Sequence, residues 1–309
     1  MICDASTTNP AAPRPAAMPI AQHEQSTLLI TGLSGYVGQG LARHPALARF
    51  GRVVGTYFQH PVSLPGHATC RLDLTDAQAV DALWEAVQPT VVIHTAANFA
   101  QPASLTASIV AGTQHVVAAA AKHGARLVHL SSDVIFDGEH PPYAEDASPD
   151  PITPYAQAKA QAETLVRTSG LADWVMVRTS LVTGLAPVDP RTQWVWDSVR
   201  ARRPITLFTD EYRCPVWVED LAAALLELTQ LDFRGVLNVA GPQRLSRYAF
   251  GVKLCAFAGL DPAAITAAVV ANSGLVRPRD CTLDIRLAQR VLRTRLRSVD
   301  EGLLSAHNR

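Results

Sequence analysis

The chain has 309 residues, of which 48% are hydrophobic and 17% charged, a composition typical of a compact globular protein. Its 27 Lys and Arg residues balance 27 Asp and Glu residues, so we expect no nucleic-acid partner and no membrane-surface partner. The five cysteines and ten histidines lack CxxC and HxxxH spacing, which predicts reduced thiols, no metal site and a cytoplasmic location.

The N-terminal segment 1–25 is rich in Ala, Pro, Ser and Thr and contains no apolar run of signal-peptide length. We therefore predict a disordered tail over these residues. No later segment approaches the roughly 18 uninterrupted apolar residues that a membrane helix requires.

From Thr27 onward, short β-branched runs alternate with Ala-rich stretches, as in a parallel sheet covered on both faces. After Gly184 this rhythm changes. We predict strands at 27–31, 52–57, 68–72, 90–95, 126–131, 174–179 and 236–239, and helices at 36–49, 76–88, 103–123, 155–169, 219–231 and 246–259. A short apolar run at 205–208 is left without an assignment.

These elements predict an α/β fold, namely a Rossmann-type, doubly wound parallel sheet with a smaller C-terminal substrate-binding lobe. We place the nucleotide-binding domain at 26–184 and the mainly substrate-binding lobe at 185–309, and we allow later segments to return to the sheet.

The predicted first strand runs directly into a GxxGxxG turn, GLSGYVG, that precedes a helix. Glycines in such a turn permit close backbone approach to a pyrophosphate, which predicts a dinucleotide site. The second strand ends in TYFQH (56–60), without the acid that bonds the adenosine ribose of NAD, so we favour NADP(H) over NAD(H), although no Arg stands there. The loop residues assigned to the cofactor are Gly32, Gly35, Tyr36, Val37 and Gly38.

Tyr155 and Lys159 are four residues apart in a predicted helix and therefore lie on one helix face. A Lys ammonium stabilises a neighbouring phenolate, so we expect the Tyr155 pKa to fall below its ordinary value of about 10. An isolated YxxxK also occurs where the Tyr packs and the Lys is solvated. The glycine loop upstream favours the catalytic interpretation.

Further motifs follow the third, fourth and fifth predicted strands: Asp73, the tripeptide 96–98 (AAN) and the tripeptide 131–133 (SSD). With the glycine loop and YxxxK, they resemble the extended short-chain dehydrogenase/reductases. Segments 131–138 (SSDVIFDG), 178–180 (RTS), 213–215 (RCP) and 277–280 (RPRD) resemble more narrowly the dTDP-4-dehydrorhamnose reductase group.

The resemblance implies that Tyr155 donates a proton to a substrate carbonyl, that Lys159 tunes Tyr155 and bonds the nicotinamide ribose, and that Ser132 orients the carbonyl oxygen. Ser132 could instead cap a turn. Asp73 could instead cap the helix near Asp76. The resemblance also implies cofactor contacts for Asp73, Leu74, Ala96 and Ala97, and the substrate candidates are Asn98, Asp133, Arg213 and Arg279.

Three positions depart from the narrower group: Leu181 replaces a Trp near the sugar, Val134 replaces a Tyr, and Gly40 replaces a Glu linked to a metal-bridged dimer. The catalytic residues are retained while substrate and dimer features are altered. A nucleotide sugar is the expected substrate. A homodimer is one of the oligomeric states that the sequence allows.

The leading prediction is an NAD(P)H-dependent reductase of a carbonyl on a sugar nucleotide or related compound, with Tyr155 as general acid. One alternative is an NAD-dependent epimerase or dehydratase, although dehydratases usually carry Asp-Glu after the Ser/Thr, and here Val134 follows Asp133. Another is a non-catalytic, dinucleotide-binding regulatory subunit similar to that of methionine adenosyltransferase.

Overall fold

A computed structural model describes residues 26–97 and 107–308, so the predicted tail at 1–25 and the candidate Asn98 lie outside the described residues. The strands are β1 (Thr27–Thr31), β2 (Arg52–Tyr57), β3 (Ala68–Arg71), β4 (Val91–His94), β5 (Arg126–Ser132), β6 (Trp174–Thr179), β7 (Val182–Thr183), β8 (Ile205–Phe208), β9 (Tyr212–Arg213), β10 (Val216–Trp217), β11 (Gly235–Val239), β12 (Leu245–Ser246) and β13 (Ile265–Ala268). The α-helices are α1 (Tyr36–Ala42), α2 (Ala77–Val87), α3 (Gly112–His123), α4 (Pro154–Thr168), α5 (Pro190–Arg200), α6 (Val218–Leu228), α7 (Arg247–Phe257), α8 (Arg286–Val291) and α9 (Val299–His307).

The central sheet contains seven strands in the order β11-β6-β5-β4-β1-β2-β3. Every neighbouring pair in this sheet is parallel. The chain builds outward from β1 to β3, then crosses back to β4 and builds in the other direction. This reversal opens a crevice at the carboxyl ends of the strands, where doubly wound folds bind their ligands. The predicted fold class is confirmed.

The last sheet strand, β11, pairs with β6 in the register Val236↔Met176, so the chain returns to the sheet after residue 184. Apolar residues cover both sheet faces, as expected for a parallel sheet buried on both sides. One cluster packs Ile30 and Val128 with Leu225 of α6. The other packs Leu29 with Trp84 of α2 and with side chains of α3.

Two helices differ from the prediction for local reasons. The predicted helix 36–49 stops as an α-helix at Ala42 and continues as a 3₁₀ turn, Pro45–Arg49, capped by His44. Proline has no N–H and restricts the residue before it, which explains the break. Helix α5 was not predicted, although Asp189 caps it and proline occupies its first position, a usual helix-start signal.

A smaller core in the C-terminal part lies between α5, α7 and the β8–β13 pair. Its buried members include Trp196, Ile205 and Ile265. Among the described residues, no helix combines the length and the apolarity needed to cross a membrane.

Candidate active site

A cavity of about 960 Å³ lies at the carboxyl ends of the sheet strands. It is lined by the glycine loop and by residues that follow β4, β5 and β6. Segments 189–191, 211–213 and 275–278 complete the lining from the C-terminal half of the chain. This one cavity therefore contains both the predicted dinucleotide loop and the predicted catalytic residues.

The glycine loop is closely packed. Gly32 has a φ of +79°, and a Cβ atom there would lie 2.7 Å from Ala96 Cα. A Cβ at Gly38 would lie 2.3 Å from the Gly32 carbonyl oxygen. Tyr36 donates a hydrogen bond from its hydroxyl to Pro187 O at 2.8 Å. A backbone turn this free of side chains fits the pyrophosphate of a dinucleotide.

Substituting Gly38 tests this fit. We expect Gly38→Ala to lower dinucleotide affinity by about tenfold or more, because the new methyl group must displace the loop backbone. Titration of the dinucleotide, followed by protein fluorescence, measures the change. Gly66→Ala is the control: its φ of +78° strains an alanine locally, but the new Cβ meets open space outside the glycine loop, so the dinucleotide affinity of the folded variant should match wild type. Equal affinities for all three proteins would contradict the assignment of the loop.

Helix α4 positions Tyr155 and Lys159. Thr153 caps the helix by accepting a hydrogen bond from Ala156 N at 3.3 Å, and Pro154 occupies its first position. The Lys159 side chain is buried, and its Nζ donates to Leu130 O of β5 at 2.6 Å. Burial lowers the Lys159 pKa to about 8, against an opposing effect of the Glu163 charge. The ammonium is thus held at the end of β5, beside the cavity.

The pKa of Tyr155 differs in direction from the sequence-based expectation. Burial of the phenol raises its pKa to about 12, and the charge of Asp133 adds to this shift. Arg191 and a side-chain hydrogen bond with Ser132 act in the lowering direction but are outweighed. The phenol is therefore protonated throughout the neutral pH range, which is the state that a general acid requires.

Ser132 caps a turn at the end of β5 and also contacts the catalytic candidate Tyr155. Its hydroxyl caps the 3₁₀ turn Asp133–Ile135, accepting from Val134 N at 3.5 Å, and it also hydrogen-bonds Tyr155. Asp133, next in the chain, is buried and accepts from Ser180 Oγ at 2.6 Å. Burial raises the Asp133 pKa although Arg213 Nε lies 3.8 Å away.

The two candidate substrate arginines occupy different environments. Arg213 lines the cavity but is buried, and its guanidinium donates to Tyr212 O at 2.6 Å and Pro278 O at 3.1 Å. Arg279 is exposed, forms an ion pair with Glu139 and lines a separate surface pocket. The structure does not bring Arg279 to the main cavity.

Three arginines outside the predicted substrate set also line the cavity: Arg191, Arg247 and Arg277. Arg191 and Arg247 lie in the first turns of α5 and α7. Burial lowers the Arg247 pKa to about 10. The cap at Asp189 was the available signal for Arg191, because a predicted start of α5 would have placed this arginine at the end of a loop. The start of the helix that carries Arg247 was predicted, but its position beside the cavity depends on the tertiary structure.

The residues expected near the adenine lie apart from the main cavity. Asp73 accepts from Thr75 N at 2.9 Å, and the cap of α2 belongs to Asp76, so Asp73 is not a helix cap. Ala97 lines the cavity, whereas Ala96 packs against Gly32, and Leu74 O bonds His115 Nδ1 at 2.8 Å.

No group of three or more His, Cys, Asp or Glu side chains within 26–97 and 107–308 is arranged to hold a metal ion.

The family model described as RmlD substrate binding domain matches residues 26–309. Among curated proteins, the chain is 29% identical to the probable low-salt glycan biosynthesis reductase Agl14 of Haloferax volcanii, over 83% of this chain and 89% of that protein. It is 28% identical to methionine adenosyltransferase 2 subunit beta of Xenopus tropicalis, over 57% of each protein.

Two solved structures are similar over nearly their whole lengths. A hypothetical dTDP-4-dehydrorhamnose reductase from Sulfolobus tokodaii shares 27% identity with a TM-score of 0.77, covering 89% of this chain and 98% of the other. MoeE5 in complex with UDP-glucose and NAD shares 25% identity with a TM-score of 0.76, covering 90% and 96%.

Proposed function

This chain belongs to the RmlD substrate binding domain family, within the extended short-chain dehydrogenase/reductases, and on that premise we propose that it reduces a carbonyl group of a nucleotide sugar. Similarity to a glycan biosynthesis reductase and to a dTDP-4-dehydrorhamnose reductase supports a sugar-nucleotide reductase. The observation that carries the proposal is one cavity lined by the glycine loop, Ser132, Tyr155 and Lys159.

The proposed chemistry is hydride transfer with proton donation. The glycine loop would hold a reduced nicotinamide dinucleotide, which would supply the hydride. Ser132 donates a hydrogen bond to the substrate carbonyl oxygen, and Tyr155 gives that oxygen a proton as negative charge develops on it. Lys159, anchored on Leu130 O, stabilises the resulting phenolate and bonds the nicotinamide ribose.

The charges around the cavity support a nucleotide sugar as substrate. Among the described residues, five cationic side chains and three carboxylates line it. Glu211 pairs with Arg277, and Asp189 caps α5. Neither Arg191 nor Arg247 forms an ion pair within the part of the chain that the structure describes. Unpaired guanidinium groups beside a site suit a diphosphate, which offers several acceptor oxygens and negative charge.

Arg247 provides a test of the diphosphate site. We expect Arg247→Met to raise the KM for the nucleotide sugar by about 10- to 100-fold with little change in kcat, because a ground-state charge contact is lost. Steady-state kinetics at saturating dinucleotide measure both constants. Arg279→Met, which removes an exposed arginine outside the cavity, is expected to keep the wild-type KM. A KM that rises for Arg279→Met and not for Arg247→Met would place the site elsewhere.

The assay for the function itself follows NADPH and NADH oxidation with a panel of 4-keto nucleotide sugars and the matching free keto sugars. Turnover confined to the nucleotide-linked substrates is the expected result. Oxidation of neither cofactor with any member of the panel would overturn the proposal.

Similarity to methionine adenosyltransferase 2 subunit beta supports a second candidate, a non-catalytic dinucleotide-binding regulator of a partner enzyme. Retention of Ser132, Tyr155 and Lys159 in one cavity favours catalysis over this alternative. The regulator predicts tight dinucleotide binding, no turnover on the panel and a change in activity of an added methionine adenosyltransferase catalytic subunit.

An epimerase or dehydratase using bound NAD is a weaker alternative. Val134 lines the cavity directly after Asp133, where dehydratases of this superfamily usually carry a second acid. A net consumption of reduced cofactor, with one equivalent oxidised per carbonyl reduced, separates reduction from both of these reactions, which regenerate their cofactor.

A further inference from the structure

The end of β2 is where a doubly wound fold meets the adenosine ribose of its cofactor. In this chain the segment 56–60 has no carboxylate to bond the ribose hydroxyls and no cation of the Arg or Lys type. The next strand, β3, supplies such a cation. In the pairing of β2 with β3, Arg71 stands directly opposite Tyr57, the last residue of β2.

Contacts direct the Arg71 side chain toward the residue that follows β2. Its Nε donates to Phe58 O at 3.2 Å. Its guanidinium carbon lies 5.5 Å from the centroid of the Phe58 ring. One hydrogen bond from Nε and one stacking contact orient the planar guanidinium group of Arg71. Both of its terminal nitrogens remain available as hydrogen-bond donors.

The acids near Arg71 do not neutralise it. Two residues later, Oδ1 of Asp73 accepts hydrogen bonds from Thr75 N at 2.9 Å and from Thr75 Oγ1 at 2.7 Å. Within the described ranges, Arg71 forms no ion pair, and the residue is exposed. The cation is therefore available to a ligand that approaches the end of β2.

We propose that Arg71 binds the 2′-phosphate of NADP(H) and makes this chain prefer NADP(H) over NAD(H). The inference rests on the proposed dinucleotide-dependent function and adds the residue that selects between the two cofactors. The two terminal nitrogens match two phosphate oxygens in a bidentate contact. A ribose hydroxyl offers no charge to the same group, so the preference arises from a gain with NADP(H).

The experiment compares two fragments that differ only in the 2′-phosphate: adenosine 2′,5′-bisphosphate and adenosine 5′-monophosphate. Calorimetric titration of the full chain gives the ratio of their affinities without any turnover. The variants are Arg71→Met, which keeps the apolar stem over Phe58, and Arg71→Lys, which keeps the charge and loses the fork. Arg52→Met is the control, because Arg52 begins the neighbouring strand β2, whereas Arg71 ends β3.

Wild type is expected to bind the bisphosphate at least about tenfold more tightly than the monophosphate. Arg71→Met should bring the ratio close to one, Arg71→Lys should fall between, and Arg52→Met should keep the wild-type ratio. Equal affinities in wild type, or an unchanged ratio in Arg71→Met, would overturn the inference while leaving the reductase proposal intact. Failure of wild type to bind either fragment, NADPH or NADH would overturn both.

Discussion

Tyr155→Phe is expected to lower kcat for nucleotide-sugar reduction by about 10²- to 10⁴-fold, the usual contribution of a positioned general acid. The phenyl ring fills the same half-buried position in α4 but has no proton to give. With burial raising the Tyr155 pKa to about 12, the wild-type phenol is protonated at neutral pH, so the substitution removes the active form itself. KM and dinucleotide affinity should stay within about twofold of wild type, because a proton-transfer contact strengthens only in the transition state.

The measurement is initial-rate oxidation of the preferred reduced cofactor at saturating substrate. Tyr248→Phe is a matched control, because Tyr248 packs against the small C-terminal core, outside the cavity lining. Its kcat should equal that of wild type. Equal rates for Tyr155→Phe and wild type would exclude Tyr155 as the general acid and require another proton donor in the cavity.

Arg178→Met is expected to lower the free energy of unfolding by about 3–5 kcal/mol, because it leaves a buried carboxylate without its main partner. Arg178 and Glu163 have 0% and 1% of their side-chain surfaces exposed, and Nη2 lies 2.9 Å from Oε2. The same guanidinium donates to Glu145 O and Ala147 O, each at 3.2 Å. One arginine of β6 thus holds α4, the helix that carries Tyr155 and Lys159, against the sheet.

Urea unfolding followed by circular dichroism measures the loss. Arg167→Met is a close control, since Arg167 pairs with the same carboxylate at 3.4 Å but is 40% exposed, and about 1 kcal/mol or less is expected. The double variant Arg178→Met with Glu163→Leu should recover much of the stability, because no buried charge is left. A loss below 1 kcal/mol for Arg178→Met would show that water or another cation solvates Glu163.

Several boundaries were predictable because their determinants are local. The strands β1, β2 and β6 begin and end at the predicted residues, since each is a run of apolar and β-branched residues. The start of α5 also has local determinants, the cap at Asp189 and the proline at its first position, although no helix was predicted there. Of the two roles considered for Asp73, the helix cap is excluded, because Asp76 accepts from the first amides of α2 whereas Asp73 bonds Thr75.

What the sequence determined by itself was the fold class, the glycine loop and the helical pairing of Tyr155 with Lys159, because turns and helix faces follow from backbone geometry over a few residues. Only the tertiary structure decided the direction of the Tyr155 pKa, since burial and the nearby Asp133 outweigh the hydrogen bond from Ser132. It also decided which arginines face the cavity. Side-chain direction and burial depend on elements far apart in the chain, so spacing alone could not separate Arg247 from Arg279.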